Sequence, residues 1–263
     1  MKLVNGLAVY ESGNSSHRPV IFIHGFPFDH QMWKNQVEFL KNDYYCITYD
    51  LRGLGQSHVG DGQYTIEGYA DDLFNLMGEL KLENPVVCGL SMGGYIALRA
   101  IEKDEKQFGG MILIDTKSAA DNDEGRLKRA AGIKKINSEG SEKFIEEFVP
   151  GCFGDIALKE MPEVYDKVIK RSLRSNPVGL KGCLLAMAGR TDTTPYLENI
   201  NIPSLIICGS IDKLVPPPVM REMADRIKAS EFAAVPRAGH LSPLENPEFI
   251  NDMLAGFLRR RII

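Results

Sequence analysis

No apolar stretch in this sequence reaches the roughly 20 residues that a membrane-spanning helix needs, so a membrane span is excluded. Positive charge is not in excess either: 31 Lys and Arg stand against 35 Asp and Glu, a net charge of −4. Acids and bases are mixed along the chain. The basic field that nucleic acid or an anionic membrane surface requires is therefore missing, and neither is expected as a partner. Cysteine is sparse: five residues, at 46, 88, 152, 183 and 208, an odd number with no C-x-x-C pair. Zinc spacing is absent, and three of the five lie inside apolar strand-like runs, so buried free thiols are expected rather than disulfides. The first residues, MKLVNGLAVYESG, lack the apolar segment of a signal peptide and read as strand and turn, which points to the cytoplasm.

What is present is ordinary for a globular protein. With 263 residues, 44% hydrophobic and 25% charged, the chain is long enough to bury a sizeable core in one large α/β domain or two small ones. Six segments share one grammar: PVIFIHG, YYCITYD, NPVVCGLS, GMILIDT, PSLIICGS and SEFAAVP are short, continuous apolar runs ending in Gly, Asp, Ser, Thr or Pro. Continuous runs suit strands buried on both faces of a parallel sheet. Helical periodicity separates most of them, over 31–41, 65–80, 92–103, 217–228 and 247–260, and residues 2–11 read as an antiparallel hairpin. The expected fold class is α/β, a doubly wound sheet.

One interval breaks the rhythm. Nearly ninety residues separate Asp115 from Ser204, where one crossover helix suffices. They read as several amphipathic helices: one within 123–137, one from Ser141, one opening at Met161-Pro162 and one at Asn176-Pro177, each start marked by a capping residue or a first-turn proline. An insertion there belongs over the carboxyl edge of the sheet, where open α/β folds bind ligands. The expected division is a core of residues 1–115 and 199–263 with a helical cap over 116–198.

The stretch GLSMGG, residues 89–94, carries the first chemical signal. A serine among glycines at a strand-to-helix junction fits a plain helix cap, and it also fits G-x-S-x-G, the turn that exposes a nucleophilic serine. A serine nucleophile needs a base, an acid to orient that base, and donors for the oxyanion. Of the five histidines, at 17, 24, 30, 58 and 240, His240 follows the last strand and precedes the last helix, which places it at the same edge as Ser91. His24 precedes Gly25 in a sharp loop, and His17, His30 and His58 fall in polar loops where solvated surface is the default. Asp115 and Asp212 both end strands after Ser91 and both reach the edge. The loop Gly209-Ser210-Ile211-Asp212 favours Asp212. Asp50 reads as a structural partner for the loop containing Arg52. Two amides suit an oxyanion: Met92, directly after the serine at a helix N-terminus, and Phe26, in the loop of FIHGFPFDH. Phe26, Phe28, Trp33 and Phe144 are candidates to line a pocket. Phe144, Phe148, Met161 and Met187 also fit the insertion's own small core, and Arg126, Arg129, Lys134 and Lys135 read as a solvated helix face.

Taken together, HGFP at 24–27, DLRGLGQS at 50–57, GLSMGG at 89–94, GSID at 209–212 and GHLSPLENPEFIN at 239–251 resemble the α/β-hydrolase superfamily over nearly the whole chain. LIDT, the helical insertion and the GHLSPLENP ending resemble small bacterial carboxylesterases and 3-oxoadipate enol-lactonase-like proteins. The resemblance implies an α/β-hydrolase fold: a mostly parallel eight-stranded sheet flanked by helices, with the cap inserted before the strand that precedes the catalytic acid. It implies Ser91, Asp212 and His240 as catalytic residues in the family's chain order, with Phe26 and Met92 as the oxyanion hole. It also implies a small ester or lactone substrate and no metal or organic cofactor. Cofactor-free haloperoxidases acting as perhydrolases, carbon–carbon bond hydrolases and hydroxynitrile lyases share the same three residues, and a non-catalytic binding protein is the remaining alternative.

Overall fold

The continuous apolar runs bury both faces, as their lack of alternation requires. In the computed structural model, which describes residues 1–262, β4 (Tyr45–Tyr49), β5 (Val86–Leu90), β6 (Gly110–Ile114) and β7 (Ser204–Gly209) are buried throughout, and β3 (Pro19–Ile23) is buried but for Pro19. β8 (Ser230–Val235) behaves differently. Only Val235 is fully buried, because β8 is the edge strand and has a partner on one side alone. The hairpin β1 (Lys2–Val4) and β2 (Leu7–Ser12) closes the other edge, antiparallel within itself and to β4. The eight strands run in the order β1-β2-β4-β3-β5-β6-β7-β8, parallel from β4 to β8.

Core helices occupy the expected places: α1 (Lys34–Leu40), α2 (Ile66–Glu79), α3 (Met92–Asp104) and α9 (Pro217–Arg226) at crossovers, and α11 (Pro247–Arg261) after the last strand. The first is shorter than its apolar period suggests, since His30–Trp33 forms a 3-10 turn capped by the Asp29 carboxylate. α2 starts where the Thr65 hydroxyl accepts the Gly68 N–H at 2.9 Å. Between β6 and β7 lie α4 (Asp123–Glu139), α5 (Ser141–Phe148), α6 (Asp155–Glu160), α7 (Pro162–Ser172) and α8 (Pro177–Ala188). Asn122 and Asn176 cap α4 and α8 through their side-chain oxygens, as start signals of that kind do. α6 and the four-residue α10 (Ser242–Glu245) have no counterpart in the sequence reading, because one or two turns are too short to show a 3.6-residue period.

The inserted helices leave and rejoin the core at one neck. The Thr193 N–H and hydroxyl both donate to the Ser118 carbonyl, at 3.1 and 3.0 Å. Beside them the buried Arg190 donates to the Met187 and Ala119 carbonyls, each at 2.8 Å, pairs with Asp121 at 3.0 Å and lies over the Tyr95 ring. Asp121 also accepts from Arg129 at 3.1 Å. Burial alone would raise the Asp121 carboxyl, but the two guanidinium groups hold it down to about 2. Arg129 is thus a structural partner rather than part of a solvated face. Arg126 and Lys135 do sit at the surface, paired with Asp123 and with Glu139 and Glu147. No helix among the described residues is long and apolar enough to cross a membrane, and all five cysteines are buried and free.

Candidate active site

The chain runs from β3 to β4 on one side of it and then to β5 on the other, so the loops leaving β3 and β5 diverge and a crevice opens between their carboxyl ends. Ser91 closes β5 there with φ 53° and ψ −114°, a conformation that costs a residue with a Cβ and persists only when its surroundings hold it. Here they do. The Ser91 N–H donates to the Ile114 carbonyl at 3.0 Å, while its own carbonyl accepts from Gly94, Tyr95 and the Thr116 hydroxyl, at 2.9, 3.2 and 2.7 Å. Two glycines permit the turn. A Cβ on Gly89 would stand 2.3 Å from the Gly93 carbonyl oxygen, and one on Gly93 would stand 2.2 Å from that of Ile23.

The loop after β3 approaches the same point, since a Cβ on Gly25 would lie 3.3 Å from the Cβ of Ser91. His24 holds this loop. Its Nε2 accepts the Leu51 N–H at 2.9 Å, which leaves Nδ1 to donate to the Gly25 carbonyl at 2.9 Å. Burial lowers its pKa, in keeping with a neutral structural ring. Among the described residues, no protein acceptor meets the N–H of Phe26 or of Met92, although both residues are buried. Buried backbone donors are rarely left unpaired, so two of them beside one strained serine suit an incoming negative charge.

Asp212 and His240 arrive from the loops after β7 and β8. Their side chains meet at 2.8 Å, Nδ1 to Oδ2, both buried. The other oxygen, Oδ1, accepts the Leu214 and Val215 N–H groups at 2.8 and 3.0 Å, so the carboxylate is fixed before it orients the ring. Burial would lower the His240 pKa, but the hydrogen bond and charge of Asp212, then the charges of Asp115 and Glu245, raise it overall. Asp115 goes elsewhere. Its oxygens accept from the Gly209 N–H at 2.6 Å and from the Ser242 hydroxyl at 2.5 Å, tying β6 to the end of β7 and the start of α10. Burial, and next the charge of Asp212, push its carboxyl up to about 8.

The remaining expected positions divide. Phe26 sits against the insertion, with its ring centroid 6.1 Å from Phe144 and 5.5 Å from Phe148, and those two rings stack at 5.5 Å. Trp33 does not line a pocket. It is fully enclosed, its ring 5.2 Å from Phe22 of β3, because the 3-10 turn directs it onto the sheet. His30 is not solvated either: its ring stacks on Tyr10 at 3.5 Å and its Nδ1 meets Asp50 at 2.7 Å. Asp50 also accepts the Gln56 N–H at 2.8 Å, which holds the loop containing Arg52, while Arg52 itself pairs with Asp72. A cavity of about 350 Å³ opens between loop 27–32 and α7, bordered by Phe28, His30, Arg171 and Leu244. Neither Ser91 nor His240 borders it, so the site is assigned from its donors and not from volume. Glu245 is a site residue that the sequence reading missed: its carboxylate accepts three backbone N–H groups around His240. Its place five residues after His240 in GHLSPLENP was the available signal.

Comparison with known proteins agrees with this architecture. A family model described as alpha/beta hydrolase fold matches residues 18–247. A thermophilic esterase from Thermogutta terrifontis superposes with a TM-score of 0.94 at 36% identity, over 98% of this chain and 94% of that one. The 3-oxoadipate enol-lactonase 1 of Acinetobacter baylyi is 28% identical, covering 96% of this chain and 93% of its own. A bromoperoxidase from Bacillus anthracis superposes with a TM-score of 0.86 at 25% identity, over 96% and 95% of the two chains.

Proposed function

The chain belongs to the α/β-hydrolase family, and from that premise we propose that it hydrolyses a small carboxylic ester or lactone through an acyl-enzyme on Ser91. The observation that carries the reading is the 2.8 Å bond from His240 Nδ1 to Asp212. It fixes the tautomer in which Nε2 is unprotonated and accepts a proton.

In this reading the Ser91 oxygen attacks the carbonyl carbon as its proton passes to His240 Nε2. The amides of Phe26 and Met92 hold the oxyanion, the latter with the dipole of α3 behind it. Collapse breaks the bond to the alcohol oxygen, which takes the proton from His240. For a lactone the leaving oxygen stays tethered to the acyl group. Water then adds to the acyl-enzyme, giving its proton to His240, and the acid departs as Ser91 recovers its hydrogen. Phe26, Phe144 and Phe148 supply an apolar wall for the acyl part, and substrate preference is assigned to the inserted helices over 116–198. The esterase and the enol-lactonase among the relatives both act in keeping with this bond type. The likeness to a bromoperoxidase favours a second reading on the same intermediate, in which hydrogen peroxide replaces water and releases a peracid.

The test is a fluorophosphonate probe with hydrolysis of a minimal ester and an enol-lactone, in wild type and Ser91→Ala. Wild type is labelled and active; the variant folds, is not labelled, and loses at least about 10³-fold in kcat. Labelling that persists in Ser91→Ala would sink the proposal, and peracid formation faster than hydrolysis at equal nucleophile concentration would select the second reading.

A further inference from the structure

Glu245 lies one turn beyond His240 and faces back toward it. Its Oε1 accepts the Leu241 N–H at 3.1 Å, and its Oε2 accepts the Gly239 N–H at 2.9 Å. The N–H groups of the residues on either side of the histidine are therefore held by one carboxylate. Oε2 accepts a third donor, the Gly154 N–H, at 3.0 Å, and Gly154 is the residue before α6 in the insertion. The two glycines are in backbone contact: a Cβ on Gly239 would stand 2.3 Å from the Gly154 nitrogen. No other residue type lets the insertion come this close to the histidine loop.

Other links join α6 to the same region. Asp155 pairs with Lys213, next to Asp212, and Glu160 pairs with Arg237, three residues before His240. All four of these side chains are more than 60% exposed, and exposed pairs of that kind contribute little. The carboxylate of Glu245, with three backbone donors in a largely enclosed setting, is the linkage that sets geometry. Burial raises its pKa against those three hydrogen bonds.

We infer that Glu245 is a positioning residue for His240, fixing the imidazole relative to both the core and the inserted helices. The inference rests on the reading of His240 as the catalytic base. Its consequence is that a shift of α6 reaches the base through Gly154 and Glu245 without touching Ser91 or Asp212.

Glu245→Gln tests it. A glutamine has one acceptor oxygen, which goes to the side with two donors, so its amide nitrogen opposes the Leu241 N–H directly after the histidine. The expected result is a kcat lower by about 10- to 100-fold with KM within about twofold, since a small misplacement of a catalytic group costs rate rather than binding. Because the Glu245 charge is one of those raising the His240 pKa, the acid limb of the rate profile moves to lower pH in the variant. Asp155→Ala and Glu160→Ala, which remove the exposed pairs, stay within about twofold of wild type. A Glu245→Gln enzyme with wild-type kcat and an unmoved acid limb, whatever its melting temperature, overturns the inference. Should that variant not fold, Glu245→Asp carries the test: it keeps the charge but not the reach, so kcat falls while the acid limb stays, and a wild-type kcat overturns the inference. Failure of the underlying reading is separately visible, as fluorophosphonate labelling that does not depend on Ser91. Failure of the inference alone is Ser91-dependent labelling that proceeds equally fast in Glu245→Gln.

Discussion

Replacing Asp212 by Asn changes one atom and, on this geometry, reverses the histidine. Oδ1 accepts two backbone N–H groups, from Leu214 and Val215, and Oδ2 accepts one N–H from His240. An asparagine keeps its oxygen where two donors require it, because the opposite placement leaves both unpaired at about 1–3 kcal/mol each. Its NH₂ group then faces His240 Nδ1 and donates to it, so the ring proton moves to Nε2, the atom that accepts from Ser91 in the proposed mechanism. The charge is lost as well. At about 4 Å between charge centres and an effective dielectric constant of about 20, an imidazolium loses about 4 kcal/mol of attraction. A tautomer penalty of about 1–2 kcal/mol, the scale of one misdirected hydrogen bond, brings the total to about 5–6 kcal/mol, or about 10⁴-fold in rate. A comparable loss accompanies the same substitution in a studied protease triad. Asp115→Asn provides the contrast. The Gly209 N–H keeps its acceptor oxygen, the Ser242 hydroxyl turns to accept from the amide, and only the longer contact from the Ser242 N–H, at 3.3 Å, is lost. Its expected cost is about 1 kcal/mol of stability and less than about tenfold in kcat. Steady-state esterase rates for both variants, with circular dichroism to establish folding, decide the matter. A folded Asp212→Asn within tenfold of wild type refutes the argument, most directly when beside a folded, inactive Asp115→Asn.

The acid limb of kcat/KM is expected above the ordinary histidine value of 6.5, because the His240 pKa is raised and the base must be neutral; activity falls as pH drops through the raised value, and a limb at or below 6.5 contradicts the assignment. Phe144→Ala removes a ring packed on Phe26 and Phe148 and is expected to cost about 3 kcal/mol in denaturant unfolding while raising relative kcat/KM for longer acyl esters. Unchanged selectivity places that ring in the core alone.

The sheet and its crossover helices were legible in the sequence because continuous apolar runs and 3.6-residue periods are local signals. The meeting of Asp212 with His240 was legible in outline, since a parallel sheet carries the ends of β7 and β8 to one edge. Local patterns do not encode pairings between distant loops. The three N–H groups that converge on Glu245 come from Gly154, Gly239 and Leu241, and nothing near Gly154 marks it as a partner of α10. Trp33 has the residue type of a pocket wall, and only the sense of the 3-10 turn decides that it faces the sheet. His30 lies in a polar stretch, yet Asp50, twenty residues later, and Tyr10, twenty residues earlier, enclose it.

The neck where Ser118 meets Thr193 means that the seventy or so residues beyond it form a closed ring in all but covalent chemistry. Closing a segment of that length costs only about 4 kcal/mol in chain entropy, and the cost rises slowly with further length. Arg190 and Asp121 act as its clasp. The ring is therefore held to the sheet at its clasp and, further along, at Gly154, where Glu245 joins it to the histidine loop. On the proposed function, substrate choice rides on one cassette, and the constraint on exchanging it is that a residue without a side chain stays at 154, where the cassette meets the histidine loop.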